Sequence, residues 1–125
     1  MSNKILIVDD EDHLRMLIEQ ALEELEDEGV DFFTASNGEE ALELIINEKP
    51  NLVFLDVMMP KMNGLEVCRR VKLDLKLNGI AVIILTAKGQ ELDKKKGEEV
   101  GADLYMTKPF DPDKLLERAR EILEL

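Results

Sequence analysis

Asn51-Leu52-Val53-Phe54-Leu55-Asp56-Val57-Met58-Met59-Pro60 decides the fold. Four apolar residues, Leu52 to Leu55, run straight into a single carboxylate. A short apolar run bounded by Pro50 and Pro60 reads as a strand covered on both faces. Asp56 then stands at the carboxyl end of that strand, the edge where open α/β sheets bind ligands. An acid at the rim of an apolar strand needs partners, because an unpaired buried charge is costly.

Working towards the N-terminus, Lys4-Ile5-Leu6-Ile7-Val8 is a second buried strand and also ends in acids, Asp9 and Asp10. His13 to Glu26 has helical spacing, with Leu14, Leu17, Ile18, Ala21, Leu22 and Leu25 on one face and Gly29 placed to end it. Asp31 to Ala35 is a short strand. Asn37 can cap a helix running to about Asn47, with Ala41, Leu42, Ile45 and Ile46 inward.

Towards the C-terminus, Leu65 to about Leu75 is a third helix, with Leu65, Cys68, Val71 and Leu75 inward and Asn78-Gly79 after it. Ile80 to Thr86 is the strongest strand. Gln90 to Val100 has few apolar positions, chiefly Leu92 and Val100, and contains Gly97. It predicts a polar, thinly anchored fourth helix. Ala102 to Met106 is a last strand, and Asp111-Pro112 opens a fifth helix with Leu115, Leu116, Ala119, Ile122 and Leu123 buried. Five strands alternating with five helices predict a parallel sheet flanked on both faces. The 125 residues fit one domain over 1–125, with no linker or repeat.

Composition narrows the function. The net charge of -12 and pI near 4.5 repel a phosphate backbone, so direct binding to nucleic acid is not expected. An acidic surface suits cations or basic protein faces. No run approaches the ~20 apolar residues of a membrane span, and no leader peptide is visible, so no membrane association is expected. One cysteine, Cys68, cannot pair within the chain and fits a cytoplasmic setting as a packed helix residue.

Clustered carboxylates repel one another and favour a hard cation; Mg²⁺ is held by one or two carboxylates, waters and phosphate oxygens. Taken alone, Asp9 and Asp10 read equally well as caps of the first helix. Thr86 and Lys108, each at the end of a strand, add a hydroxyl and an ammonium facing the acids, a cradle for a phosphoryl group. Asp56, the lone acid of the most buried strand, suits the role of a carboxylate nucleophile that forms an aspartyl phosphate.

Asp9-Asp10, Asp56, Met59-Pro60, Gly64, Thr86-Ala87 and Lys108-Pro109 together resemble the receiver domain of two-component response regulators, over essentially the whole chain. The resemblance implies a flavodoxin-like fold with strand order 2-1-3-4-5. It implies phosphorylation of Asp56 by a sensor histidine kinase. Asp10, Asp56 and the Met58 carbonyl would be direct Mg²⁺ ligands, Asp9 would act through water, and Thr86 and Lys108 would hold phosphoryl oxygens. Thr86 and Tyr105 match the family's switch pair, which remodels the face of helix four, strand five and helix five for a downstream effector protein. On this resemblance the chain works only on its own phosphate, as a monomer or a phosphorylation-dependent dimer. Without it, Tyr105 is a half-exposed strand aromatic. Met58 and Lys88 occupy positions that resemble the family's rate-tuning sites for phosphate loss. His13 is a first-turn helix residue.

Three other readings compete. The chain can be a piece of a longer transcriptional regulator. A haloacid dehalogenase-type phosphohydrolase wants a second Asp two residues after the nucleophile, where this chain has Met58. A flavin binder wants Ser, Thr and Gly after strand one, where Asp9-Asp10-Glu11-Asp12 repels phosphate.

Overall fold

A computed structural model describes residues 3–87, 95–96, 98–108 and 110–125. The strands are β1 (Lys4–Val8), β2 (Asp31–Ala35), β3 (Leu52–Asp56), β4 (Ala81–Ala87) and β5 (Leu104–Lys108). They pair in parallel in the order β2-β1-β3-β4-β5, as expected. β3 is buried at every position and β1 at all but its first, because helices cover both faces of the sheet. On one face α2 (Gly38–Glu48) and α3 (Gly64–Arg69) pack over Leu6, Val8, Val53, Leu55, Val82 and Ile84. On the other, α1 (Asp12–Ala21) and the C-terminal helix (Pro112–Leu123) pack over Ile5, Ile7, Leu52, Phe54, Ile83 and Leu85.

Three helix starts follow the capping chemistry. Asn37 accepts the Glu40 N–H at 2.9 Å, Asn63 the Glu66 N–H at 2.9 Å, and Asp111 the Asp113 N–H at 2.9 Å, with Pro112 opening its helix. Each such cap is worth about 1 kcal/mol.

Four expectations need correction. The first helix stops at Ala21, and Glu23–Glu28 forms a 3₁₀ helix closed by Gly29 at φ 88. The tighter winding brings Leu22 and Leu25 into line over the core. Leu17 and Ile46 are 49% and 45% exposed. Each lies about 100° around its helix from the buried centre, Ile18 or Ile45, and so falls at the margin of the apolar stripe.

The third helix departs furthest. After Arg69 the backbone widens into a π turn, Arg70–Asp74, closed by Leu75 N–H on the Arg70 carbonyl at 2.8 Å. The extra residue in the turn rotates the side chains beyond it about the helix axis. Leu75 is turned outward and Leu77 packs against the core, while Lys72, within the turn and four residues after buried Cys68, lies inside. The Lys72 ammonium donates to the Ile80 carbonyl at 2.6 Å and pairs with Asp103 at 2.9 Å.

β5 begins two residues later than expected. The Asp103 carboxylate takes the Val82 N–H at 2.7 Å while the Asp103 N–H donates to the Val82 carbonyl at 2.9 Å. A side chain therefore occupies the rung where the ladder would start, and pairing begins at Leu104 opposite Ile83. Lys108 becomes the last residue of the strand. Of the fourth helix, Lys95, Lys96, Glu98 and Glu99 are helical, and Val100 N–H donates to the Lys96 carbonyl at 3.1 Å. Gln90, Leu92 and Gly97, like Lys88 and Pro109, lie outside the described residues.

Candidate functional site

Parallel pairing aligns the strand ends. Val8 pairs with Leu55, so Asp9 follows β1 beside Asp56. Asp56 pairs with Leu85, so Thr86 lies one step further along β4, and Ala87 pairs with Lys108. One edge of the sheet thus carries Asp9, Asp56, Thr86 and Lys108.

Carboxylate oxygens of Asp9, Asp10 and Asp56 lie within 4.8 Å of one another. Asp9 and Thr86 are almost fully enclosed and Asp56 is 6% exposed, while Asp10 faces outward. The Lys108 ammonium bridges Asp56 at 2.9 Å and Asp9 at 3.1 Å. Among the described residues, Lys108 is the cation that pairs with these carboxylates, and three acids outnumber it. Burial pushes the Asp56 carboxyl up to about 6, against the opposing pull of Lys108 and with the help of Asp9 and Asp10. Burial also disfavours charge on Lys108, but its bonds to Asp56 and Asp9 outweigh that and hold its pKa above the ordinary lysine value.

The donor set fits a hard divalent cation. All its members are oxygens, and the Met58 carbonyl accepts no hydrogen bond from any described residue. The Met58 side chain is 75% exposed beside Asp56, leaving it free to hang over the approach.

Asp56 should weaken the metal-free fold at neutral pH. Its folded pKa is above the unfolded value of 3.8, so the folded state holds the proton more tightly. Stability from this group is therefore full below about pH 4 and is lost as pH rises towards about 6. Asp56→Asn removes the penalty while keeping an acceptor for Lys108. In metal-free buffer it should stabilise the protein by roughly 1–3 kcal/mol at pH 7 and by little at pH 4. Urea melts at the two pH values check this; equal stability at pH 7 contradicts it.

Tyr105 is half-buried against the core beneath α2 and α3, and its hydroxyl is enclosed without a hydrogen-bond partner among the described residues. Burial raises its pKa. It matches neither a simple surface aromatic nor a satisfied core tyrosine. Cys68 is buried, and burial pushes its thiol up to about 11, in line with a packing role. His13 is an exposed residue of the first turn. A groove of about 470 Å³ beside Met16, Glu19, Glu23 and Phe32 shares no residue with the acidic cluster.

Two contacts at the site escaped the sequence reading. Gly64 packs so closely under Asp56 that a Cβ there would lie 2.0 Å from the Asp56 carbonyl oxygen. Arg15 donates to the Asp9 carbonyl at 2.5 Å and pairs with Asp12. The Asp12–Arg15 spacing of three on a helix was the available signal.

The family model described as the response regulator receiver domain matches residues 5–120. The chain belongs to the response regulator receiver family. This receiver domain is 46% identical to the alkaline phosphatase synthesis transcriptional regulatory protein PhoP of Bacillus subtilis, over 98% of this chain and 49% of that one. It thus spans about half the length of the curated relatives it matches. Among solved structures, the BeF3-activated DrrB receiver domain superposes with a TM-score of 0.83 at 35% identity, covering all of both chains. The chemotaxis response regulator CheY4 of Vibrio cholerae gives 0.83 at 30% identity, covering 98% of this chain and 99% of that one. The family is that of phosphoacceptors in two-component signalling, and the match stands against both the phosphohydrolase and the flavin-binder readings.

Proposed function

We propose that Asp56 is the phosphoacceptor of this receiver domain, with Mg²⁺ held by Asp10, Asp56 and the Met58 carbonyl and, through water, by Asp9. The observation that carries the reading is the Lys108 ammonium 2.9 Å from Asp56, inside a cluster of three acids. An Asp56 oxygen attacks phosphorus, the bond from phosphorus to the kinase histidine nitrogen breaks, and the imidazole leaves. Lys108 and the Thr86 hydroxyl hold phosphoryl oxygens as the group transfers. Mg²⁺, when held by these residues, would supply positive charge against the transferring group.

The partners are a sensor histidine kinase and a downstream effector protein, reached through a surface governed by Thr86 and Tyr105. The Tyr105 hydroxyl, without a hydrogen-bond partner among the described residues, supports that role, since an unsatisfied buried hydroxyl costs about 1–3 kcal/mol and favours any rearrangement that finds it an acceptor. The domain, residues 1–125, acts on its own carboxylate in the cytoplasm; no described helix is long and apolar enough to cross a membrane.

Incubation with acetyl phosphate and Mg²⁺ should add one phosphate by mass, and Asp56→Asn should take up none. Equal uptake by the variant, or none by the parent, removes the reading.

Met58 is expected to shield the acyl phosphate from water, together with Lys88. Met58→Asn with Lys88→Glu should shorten its lifetime several-fold in a hydrolysis time course, since water positioning sets this rate. Unchanged decay contradicts the expectation.

A further inference from the structure

We propose that Arg15 is a positioning residue for the cation: it clamps the peptide between Asp9 and Asp10 so that Asp10 presents its carboxylate to the metal. The inference rests on the Mg²⁺ site proposed above. Every polar group of Asp9 is engaged. Its N–H donates to the Ala35 carbonyl at 3.2 Å, one carboxylate oxygen accepts the Glu11 N–H at 3.0 Å, and the other pairs with Lys108 at 3.1 Å. Its carbonyl accepts from Arg15 at 2.5 Å.

Asp10 is different. It faces outward, and its side chain makes no hydrogen bond to a described residue. Its direction is therefore inherited from the backbone on either side. The peptide before it is gripped by Arg15 through the Asp9 carbonyl. The Glu11 N–H, just beyond it, is tied back to the Asp9 carboxylate. Arg15 reaches this loop from one turn inside α1, with its fork split between the Asp9 carbonyl and Asp12. A flexible outward carboxylate loses freedom when it takes a cation, and a clamped backbone removes part of that cost beforehand.

Charge and clamp predict opposite signs. Arg15 is a cation near a cation site, so by Coulomb's law alone its removal tightens Mg²⁺ binding. Loss of the clamp weakens it. The test is Mg²⁺ titration of the full chain by calorimetry, with thermal melts in metal-free buffer. Arg15→Ala should weaken Mg²⁺ binding about tenfold, the scale of outer contacts that orient ligands. Arg15→Lys keeps the charge but loses the planar fork, and should fall between the parent and Arg15→Ala. Asp12→Asn should leave binding within about twofold, because the Asp12 side chain is 91% exposed and contributes little beyond screening. With acetyl phosphate, the Mg²⁺ concentration for half-maximal rate should rise in Arg15→Ala by the same tenfold factor. The rate at saturating Mg²⁺ should return to that of the parent.

Equal or tighter Mg²⁺ binding by Arg15→Ala overturns the proposal. If Arg15→Ala fails to fold, Arg15→Lys decides, and parental affinity there overturns it. A folded parent that binds no Mg²⁺ removes the proposed metal site itself, a failure visible before any variant is made.

Discussion

Lys108→Met should cut the initial rate of phosphorylation by acetyl phosphate about a hundredfold at saturating Mg²⁺. The ammonium is the cation that reaches both Asp56 and Asp9 across the strand ends. In the proposed transfer it would neutralise charge on the moving group, and losing one such preorganised partner typically costs about 10²–10³ in rate. The same substitution leaves the three acids with one more uncompensated charge, so Mg²⁺ should bind at least as tightly as before. That pairing of a slower reaction with undiminished metal affinity separates loss of chemistry from collapse of the site. A phosphorylation time course beside a Mg²⁺ titration reads it, and a parental rate in Lys108→Met would show the contact to be incidental. Lys108 also holds Asp56 below the pKa that burial alone would set. Without metal, Asp56 in the variant should therefore titrate at a higher pH than in the parent.

Gly64→Ala should destabilise the domain by about 3 kcal/mol, the upper end of what overpacking costs. In an ordinary helix the change is favourable by about 1 kcal/mol. Here the new methyl group meets the Asp56 carbonyl oxygen at 2.0 Å, the Asp56 carbonyl carbon at 2.9 Å and the Leu55 side chain at 3.2 Å. Two of those three atoms are backbone of the central strand, so nothing can swing aside. The start of α3 must retreat, or the peptide bearing Asp56 must tilt. Gly79→Ala is the control, because a Cβ there meets nothing within 4 Å. Denaturant midpoints of the two variants should therefore diverge. A Gly64→Ala protein as stable as the parent would contradict the close approach.

What the chain discloses depends on whether a residue's environment is local. The strands β1 and β3 were legible because both their faces are covered, which leaves an unbroken apolar run ending in acid. The acidic cluster and Lys108 were legible because the parallel order brings like strand ends together. Lys72 was not. A lysine on a helix reads as exposed, and this one is buried because its ammonium finds the Ile80 carbonyl and the Asp103 carboxylate, partners remote in sequence that the helix spacing does not disclose. The start of β5 was misplaced for a related reason. Asp103 substitutes its carboxylate for a rung of the ladder, so a residue that looks like strand acts as the strand's stop. Arg15 lies between these cases: its pairing with Asp12 follows from spacing, but its grip on the Asp9 carbonyl needs the turn of the chain to be known.

The position of the strands within the sheet has a mechanical consequence. Among the described residues, Asp56 lies on a strand flanked by two others, whereas Tyr105 lies on an outermost strand with a single neighbour. The central strand is braced from left and right, so a reaction there meets a stiff support. The outer strand is held like the last plank of a deck, fastened along one side only. Its free margin can take up a new outline while the middle planks keep their alignment, which is the arrangement a signalling device needs if it is to report an event without disturbing the place where the event occurred.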